Sequence, residues 1–369
     1  MISVFGSKVG KEEIANVSAV LESQWMGFGK KVTEFEEKFG KRLGLENFAM
    51  VDSGSNALYM AVTLLDLPPN SEIIIPAFTW VSCAQAILLA GHTPVFCDVD
   101  LNTLNVTKET VEACITKKTK AIMVVHFAGK PVDMNPILEL GLPIIEDAAH
   151  AVDSYYYGKA CGGIGDVGIY SFDAVKNLTT GEGGGITTRK KELIERAKIL
   201  RYCGIGKSGF EAAAATAGEK NRWWEYAIKE PFIKMLPTNI AAAIGLAQLD
   251  KIDDLQAWRK KIWDIYQAEL SDVSWIVRPP DAEAHEKHSY FTYVIRVPNR
   301  DKLARHLFEN DIYTTLRYHP LHLNPLYKSK AVLKNSEILN EDSLSIPLHP
   351  NLTLEQVDLI IEKIKEFKS

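Results

Sequence analysis

From about Asn47 to Thr188, short apolar runs of strand length alternate with stretches of helical period. The runs are FAMV, EIIIPAF, PVFCDVD, AIMVVHF, PIIEDAA, DVGIYSF and GGGITT. Strands that alternate with helices predict an α/β fold: a mostly parallel seven-stranded sheet with helices on its faces. A helical run follows from Lys190 to about Tyr202. After it, GIGKSGFEAAAATAGEKN is rich in Gly, Ala and Ser, has little to bury, and reads as a mobile loop. The segment from about 239 to 270 reads as one long helix joining a large domain to a smaller one. The remainder mixes two strand-like runs, YFTYVIRV and IYTTLRY, with two helical runs, DKLARHLFEND and LEQVDLIIEKIKEF. That mixture predicts a small α+β domain over residues 251–369, after a large domain over residues 1–250.

Length supports two domains, because 369 residues exceed what one hydrophobic core usually holds. Hydrophobic residues make up 46% and charged residues 24%, the balance of an ordinary globular protein. The net charge of -5 is spread over mixed signs with no long basic run, which argues against nucleic acid as a partner. MISVFGSKVGKEEI lacks the features of a signal peptide, and no apolar stretch is long enough to span a bilayer, so a soluble cytoplasmic protein without a membrane partner is expected. The five cysteines (Cys83, Cys97, Cys114, Cys161 and Cys203) are widely spaced with no CxxC pair. Neither a disulfide framework nor a metal site is expected from them.

Three stretches carry candidate chemistry. In VDSGSNALYMAV a strand ends in Ser53-Gly54-Ser55-Asn56 and runs into a helix. Backbone N–H groups at such a helix start can hold a phosphate, although a serine N-cap there is also commonplace. In PIIEDAAHA an apolar strand delivers Glu146, Asp147 and His150 to its C-terminal end, where open α/β sheets bind ligands. A carboxylate at that place can pair with a protonated ring nitrogen, or simply cap the next turn. In DVGIYSFDAVKNLTTGEGGGITT a strand leads through Ser171 to Lys176 and a glycine-rich return. A lysine screened from water favours its neutral form and can make an imine with an aldehyde, and the glycines would let the backbone approach a cofactor. A phosphate loop, a strand-end Asp and a loop Lys, in that order on one sheet, form the set that a pyridoxal-phosphate enzyme needs.

The chain also resembles the DegT/DnrJ/EryC/StrS sugar aminotransferases, which share the aspartate aminotransferase fold. The resemblance runs from GFGKKVTEFEEKFG through PAFTWVSCAQAILLAGHTPVFCDVD, EDAAHA and VKNLTTGEGG to HPLHLNPLY and SIPLHP. It implies that Lys176 binds pyridoxal 5'-phosphate covalently and shuttles the proton, and that Asp147 pairs with the pyridine nitrogen. It further implies that Trp80 stacks on the cofactor face and that His150 lies near the phenolic oxygen. Gly54, Ser55 and Ser171 match the phosphate cradle, with Asn56 beside them. His319 and His322, in YHPLHL, match a stretch near the substrate mouth. A homodimer with shared active sites is implied, in which Lys234 reaches the partner's phosphate. The implied reaction moves an amino group from an amino acid, usually L-glutamate, to a ketosugar for amino-sugar or surface-polysaccharide synthesis. Relatives with a TTGEGG stretch after the lysine commonly aminate carbon 4 of a nucleotide-linked 4-keto-6-deoxyhexose, so the resemblance implies that acceptor.

Two departures from the family pattern bear on this. PFIKMLPTNI stands where relatives carry a stretch such as GYNYRM, and Asp173-Ala174 stands where they often show His-Pro. The first keeps open a ketosugar without a nucleotide, such as an oxidised octulosonate or a keto-cyclitol. Two readings of another class also remain. A pyridoxal-phosphate lyase or desulfurase would need a reactive cysteine on a mobile loop, and only Cys203 borders one. A non-catalytic cofactor sensor would usually carry a basic DNA-binding module, and none is visible.

Overall fold

The computed structural model describes residues 1–208 and 224–367. Most of the segment read as a mobile loop lies outside the described residues.

The first five strands are β1 (Phe48–Val51), β2 (Glu72–Pro76), β3 (Thr93–Cys97), β4 (Thr119–Val125) and β5 (Ile144–Asp147). Short strands β6 (Tyr155–Tyr156) and β7 (Lys159–Ala160) interrupt them before β8 (Val167–Ser171) and β9 (Gly184–Thr187). The large sheet has seven strands in the order β1-β9-β8-β5-β4-β2-β3. The β8-β5-β4-β2-β3 pairings are parallel, whereas β9 runs antiparallel to both β1 and β8. All seven runs picked out by their apolar character are therefore strands of this sheet.

Helices cover both faces. Gly54–Leu64 and Val81–Leu89 pack on one face with Ala61, Ile75, Ile145 and Ile169. The helix Lys30–Leu43 buries Val32, Phe35, Phe39 and Leu43 and stops at Gly44, which takes the left-handed conformation (φ 66°). Phe35 and Phe39 meet Phe172 edge-on at 5.3 and 5.1 Å between ring centroids. Phe172 follows directly on β8, so this cluster anchors the start of the Lys176 loop. Its carbonyl accepts from the backbone N–H of Thr180 at 2.9 Å, which closes that loop.

The long helix expected over 239–270 is two helices, Asn239–Asp250 and Ile252–Glu269, broken at Lys251 (φ −116°, ψ 10°). Strand β10 (Ile205–Ser208) pairs with β11 (Tyr226–Ile228), and β12 (Glu286–Lys287) pairs with β6. Farther on, β13 (Tyr293–Arg296) pairs antiparallel with β14 (Ser343–Ile346). These last two pack with the helices Arg300–Glu309 and Leu354–Glu366 around Trp263, Tyr266, Leu303, Ile346 and Ile360. IYTTLRY, expected as a strand, makes only isolated bridges, Ile312 to Ile2 and Thr315 to Ser345. Residues 315–318 line a cavity, Thr315 while still bridged to Ser345.

Candidate active site

A cavity of about 420 Å³ opens at the C-terminal ends of the parallel strands. Its walls come from three places: the large sheet and its loops (Gly54, Ser55, Trp80, Asp147, His150, Ser171, Lys176), the start of the chain (Phe5), and residues Thr315–Tyr318.

The helix Gly54–Leu64 aims its N-terminus at the cavity, which leaves its first N–H groups without acceptors inside the helix and adds the positive end of its dipole. Ser53 is the N-cap, and its hydroxyl accepts from the Asn56 N–H at 3.1 Å. Ser55 Oγ lies 2.8 Å from Ser82 Oγ, and Ser171 stands at the end of β8 beside them. Close approach sets the residue types here. A Cβ on Gly54 would sit 2.7 Å from Ser171 Cβ, and one on Gly184 would sit 2.3 Å from the Ser53 carbonyl oxygen. Gly184 thus lets β9 pass the Ser53 turn: this glycine of the return meets the protein's own backbone, not open space.

Asp147 ends β5 and is 4% exposed. The Cys83 thiol donates to its Oδ2 at 3.2 Å and the Ala149 N–H donates to its Oδ1 at 2.9 Å. Burial and the neighbouring carboxylate raise the Cys83 thiol well above the ordinary value, so it remains a protonated donor. His150 lies face to face with Phe291 at 4.1 Å, and its Nε2 is 3.1 Å from the Tyr318 hydroxyl. Burial, with Lys176 and Arg317 nearby, holds His150 well below its usual range and therefore neutral, and its buried Nδ1 has no partner among the described residues.

Lys176 is the centre of the arrangement. Burial first, and the charge of Arg317 second, lower it from the ordinary value to about 8, against the opposing pull of Asp147 and Asp173. Its ammonium lies 4.9 Å from the centroid of the Phe291 ring. About a tenth of this amine is then neutral and nucleophilic at pH 7, far more than for a free lysine. Trp80, 53% exposed, forms an outer wall with its ring tilted against Tyr318 at 5.5 Å.

Four residues singled out in the sequence lie elsewhere. The Asn56 side chain donates to Asp52 Oδ1 at 2.8 Å, so it braces the turn and does not line the cavity. Lys234 is exposed on the segment leading to Met235 and bridges Tyr202. His319 is exposed, with Nδ1 2.9 Å from Asn340 Oδ1, and His322 is buried beside Glu337. Neither histidine lines the cavity. The residue of that stretch which does is Arg317, two positions before His319, together with Tyr318. Sequence reasoning missed both, and also Phe5 and Cys83. The one available signal was a charged and an aromatic residue directly preceding the HPLHL stretch.

A half-buried lysine of lowered pKa, a strand-end carboxylate and a helix N-terminus suited to an anion, all lining one cavity, define the class of pyridoxal-phosphate enzymes on the aspartate aminotransferase fold. Comparison with known proteins narrows the class. The description of the DegT/DnrJ/EryC1/StrS aminotransferase family matches residues 7–365, and the chain belongs to that family. It is 36% identical, over 99% of its length and 96% of the relative's, to dTDP-4-dehydro-2,3,6-trideoxy-D-glucose 4-aminotransferase of Saccharopolyspora spinosa. The crystal structure of the aminotransferase TlmJ from Streptoalloteichus hindustanus superposes with a TM-score of 0.92 at 36% identity, covering 99% of this chain and 98% of that one. Spr1654 from Streptococcus pneumoniae, solved in its PLP form, superposes with a TM-score of 0.90 at 28% identity, covering 99% of each chain. The protein is a sugar aminotransferase that uses pyridoxal phosphate.

The residues present fit that cofactor. Gly54, Ser55 and Ser171 offer a phosphate cradle, Asp147 a carboxylate for the ring nitrogen, Lys176 the amine for the aldehyde, and His150 a free buried nitrogen beside them. Cys203 does not line the cavity, which removes the thiol that a desulfurase would need there. Among the described residues no helix is long and apolar enough to cross a membrane, and no cluster of three metal-binding side chains occurs.

Proposed function

We propose that the chain transfers the amino group of L-glutamate to the carbonyl of a nucleotide-linked 4-keto-6-deoxyhexose, as a cytoplasmic step in amino-sugar or surface-polysaccharide synthesis. The observation that carries the chemistry is Lys176, half-buried and poised near pH 8 in the same cavity as Asp147. The acceptor is supported by the TTGEGG stretch after Lys176 and by the 36% identical relative, whose name gives a dTDP-linked 4-dehydro sugar.

Bound pyridoxal phosphate supplies an aldehyde to carry the amine and a cationic ring to take electrons from the substrate carbon. The chain supplies the rest. Asp147, fixed from both sides by Cys83 and Ala149, presents a carboxylate that keeps a ring nitrogen protonated. Lys176 Nζ, released from covalent duty, takes a proton from one carbon and returns it to another, a task suited to an amine whose pKa lies near the working pH. Gly54, Ser55 and Ser171 would bind the phosphate, Trp80 would cover one ring face, and His150, held neutral, would lie near the phenolic oxygen.

A symmetric homodimer with shared sites is part of the proposal. Its support is the outward-facing Lys234 and the exposed Trp25, Met26 and Ile233, apolar surface that a second copy would cover. The test of the reaction is incubation with L-glutamate and dTDP-4-keto-6-deoxyglucose, followed by mass spectrometry. The aminated nucleotide sugar is expected; amination only of a sugar lacking the nucleotide would refute this choice of acceptor.

A further inference from the structure

We propose that Arg317 anchors the α-carboxylate of the amino donor; the proposal rests on the aminotransferase reading above. Arg317 is 6% exposed and lines the cavity, yet no carboxylate among the described residues lies within ion-pair distance of it. Its Nε has no partner, and one Nη reaches only the Tyr318 hydroxyl, at 3.5 Å. What holds the guanidinium is aromatic: its carbon lies 3.9 Å from the centroid of Phe5 and 4.8 Å from that of Phe291. Stacking engages the flat faces of a guanidinium and leaves its N–H edge free, and that edge matches a carboxylate with two parallel hydrogen bonds.

The charges around it point the same way. Lys176 and Arg317 both reach Phe291, and behind them Arg259, 1% exposed, donates only to the carbonyls of Phe291, Leu348 and, at the limit of distance, Tyr290. Three acidic groups line the cavity: Asp147 is engaged by Cys83 and Ala149, Asp173 Oδ1 accepts from the Val175 N–H, and Glu182 makes no ion pair with Arg317. A buried cation without a counter-ion is costly, so the site is built to receive an anion. Two substrates alternate in this cavity. The ketosugar carries no charge on the carbons beside its carbonyl, whereas the amino acid has a carboxylate on the very carbon that bears the amine. An anion site sharing a ring with Lys176 therefore suits the donor.

The experiment compares wild type with Arg317→Met, which keeps the apolar stem, and Arg317→Lys, which keeps the charge but loses the fork. The cofactor-loaded proteins are mixed with L-glutamate or with 4-aminobutyrate, which lacks the α-carboxylate, and loss of the visible band is timed. Succinate and dTDP are titrated separately by calorimetry into cofactor-free protein. We expect the preference for L-glutamate over 4-aminobutyrate to fall by roughly 100-fold in Arg317→Met and by less in Arg317→Lys, with succinate binding weakened in the same order. An unchanged preference, or loss of dTDP binding with succinate binding intact, would overturn the proposal, the latter assigning Arg317 to the sugar phosphate. If wild type responds to no amino donor, the functional reading fails, and the succinate titration still decides whether Arg317 is a carboxylate site. Should Arg317→Met not fold, Arg317→Lys carries the same comparison.

Discussion

Lys176 and Arg317 share one aromatic ring: the ammonium lies 4.9 Å and the guanidinium carbon 4.8 Å from the centroid of Phe291. One residue comes from the loop after β8 and the other from a segment that Thr315 bridges to Ser345 of β14. The charge of Arg317 held this close makes Lys176 harder to protonate.

The first prediction concerns pH. Lys176 in the cofactor-free protein is protonated below about 8 and neutral above it. The rate of pyridoxal-phosphate capture should therefore rise about tenfold per pH unit below that value and level off above it. Arg317→Met removes a like charge, so the midpoint should move to higher pH. Absorbance-monitored reconstitution across pH checks both, and a rate that ignores pH would count against a lysine of lowered pKa.

Gly54→Ala should weaken the hold on the phosphate. The new Cβ would press on Ser171 at 2.7 Å to the Cβ and 2.9 Å to the Oγ, and the cradle would have to spread. Overpacking of this kind costs about 1–3 kcal/mol, so the dissociation constant for pyridoxal phosphate should rise roughly tenfold or more. Equilibrium dialysis measures it; unchanged affinity would place the phosphate elsewhere.

Asp147→Asn should leave the fold and the cofactor in place and slow conversion by L-glutamate about 100-fold or more, as expected when a preorganised charge is lost. Cys83→Ala removes only one of the two bonds that hold Asp147 and should cost far less. Stopped-flow absorbance of both variants separates the charge from its support. Equal losses would mean that Cys83 acts in its own right.

The residues legible in the sequence share a property: each sits where an apolar strand ends. The run PIIED places Asp147, DVGIYSF places Ser171 and the lysine loop, and FAMV places the Ser53 turn, because strand length and helix start are local signals. Asn56 shows the limit of that logic. It lies two positions beyond Gly54 on the same helix start, and one step of helical rotation gives its side chain to Asp52. The histidines show another limit. Whether Arg317, His319 or His322 faces the cavity depends on how the segment after Ile312 leaves its bridge to Ile2, a contact between opposite ends of the chain. The break at Lys251 was hidden for a related reason: residues 239–270 are helical in pattern throughout, and the interruption is a backbone event with no Gly or Pro to announce it.

The most direct test of the central claim is the visible spectrum of the purified protein with pyridoxal phosphate, before and after L-glutamate, for wild type and Lys176→Ala. We expect wild type to show the band of a lysine-bound cofactor and to lose it to the pyridoxamine form, while the folded variant never shows that band. A variant with the same band as wild type, or a wild-type band that no amino donor alters, would contradict the account.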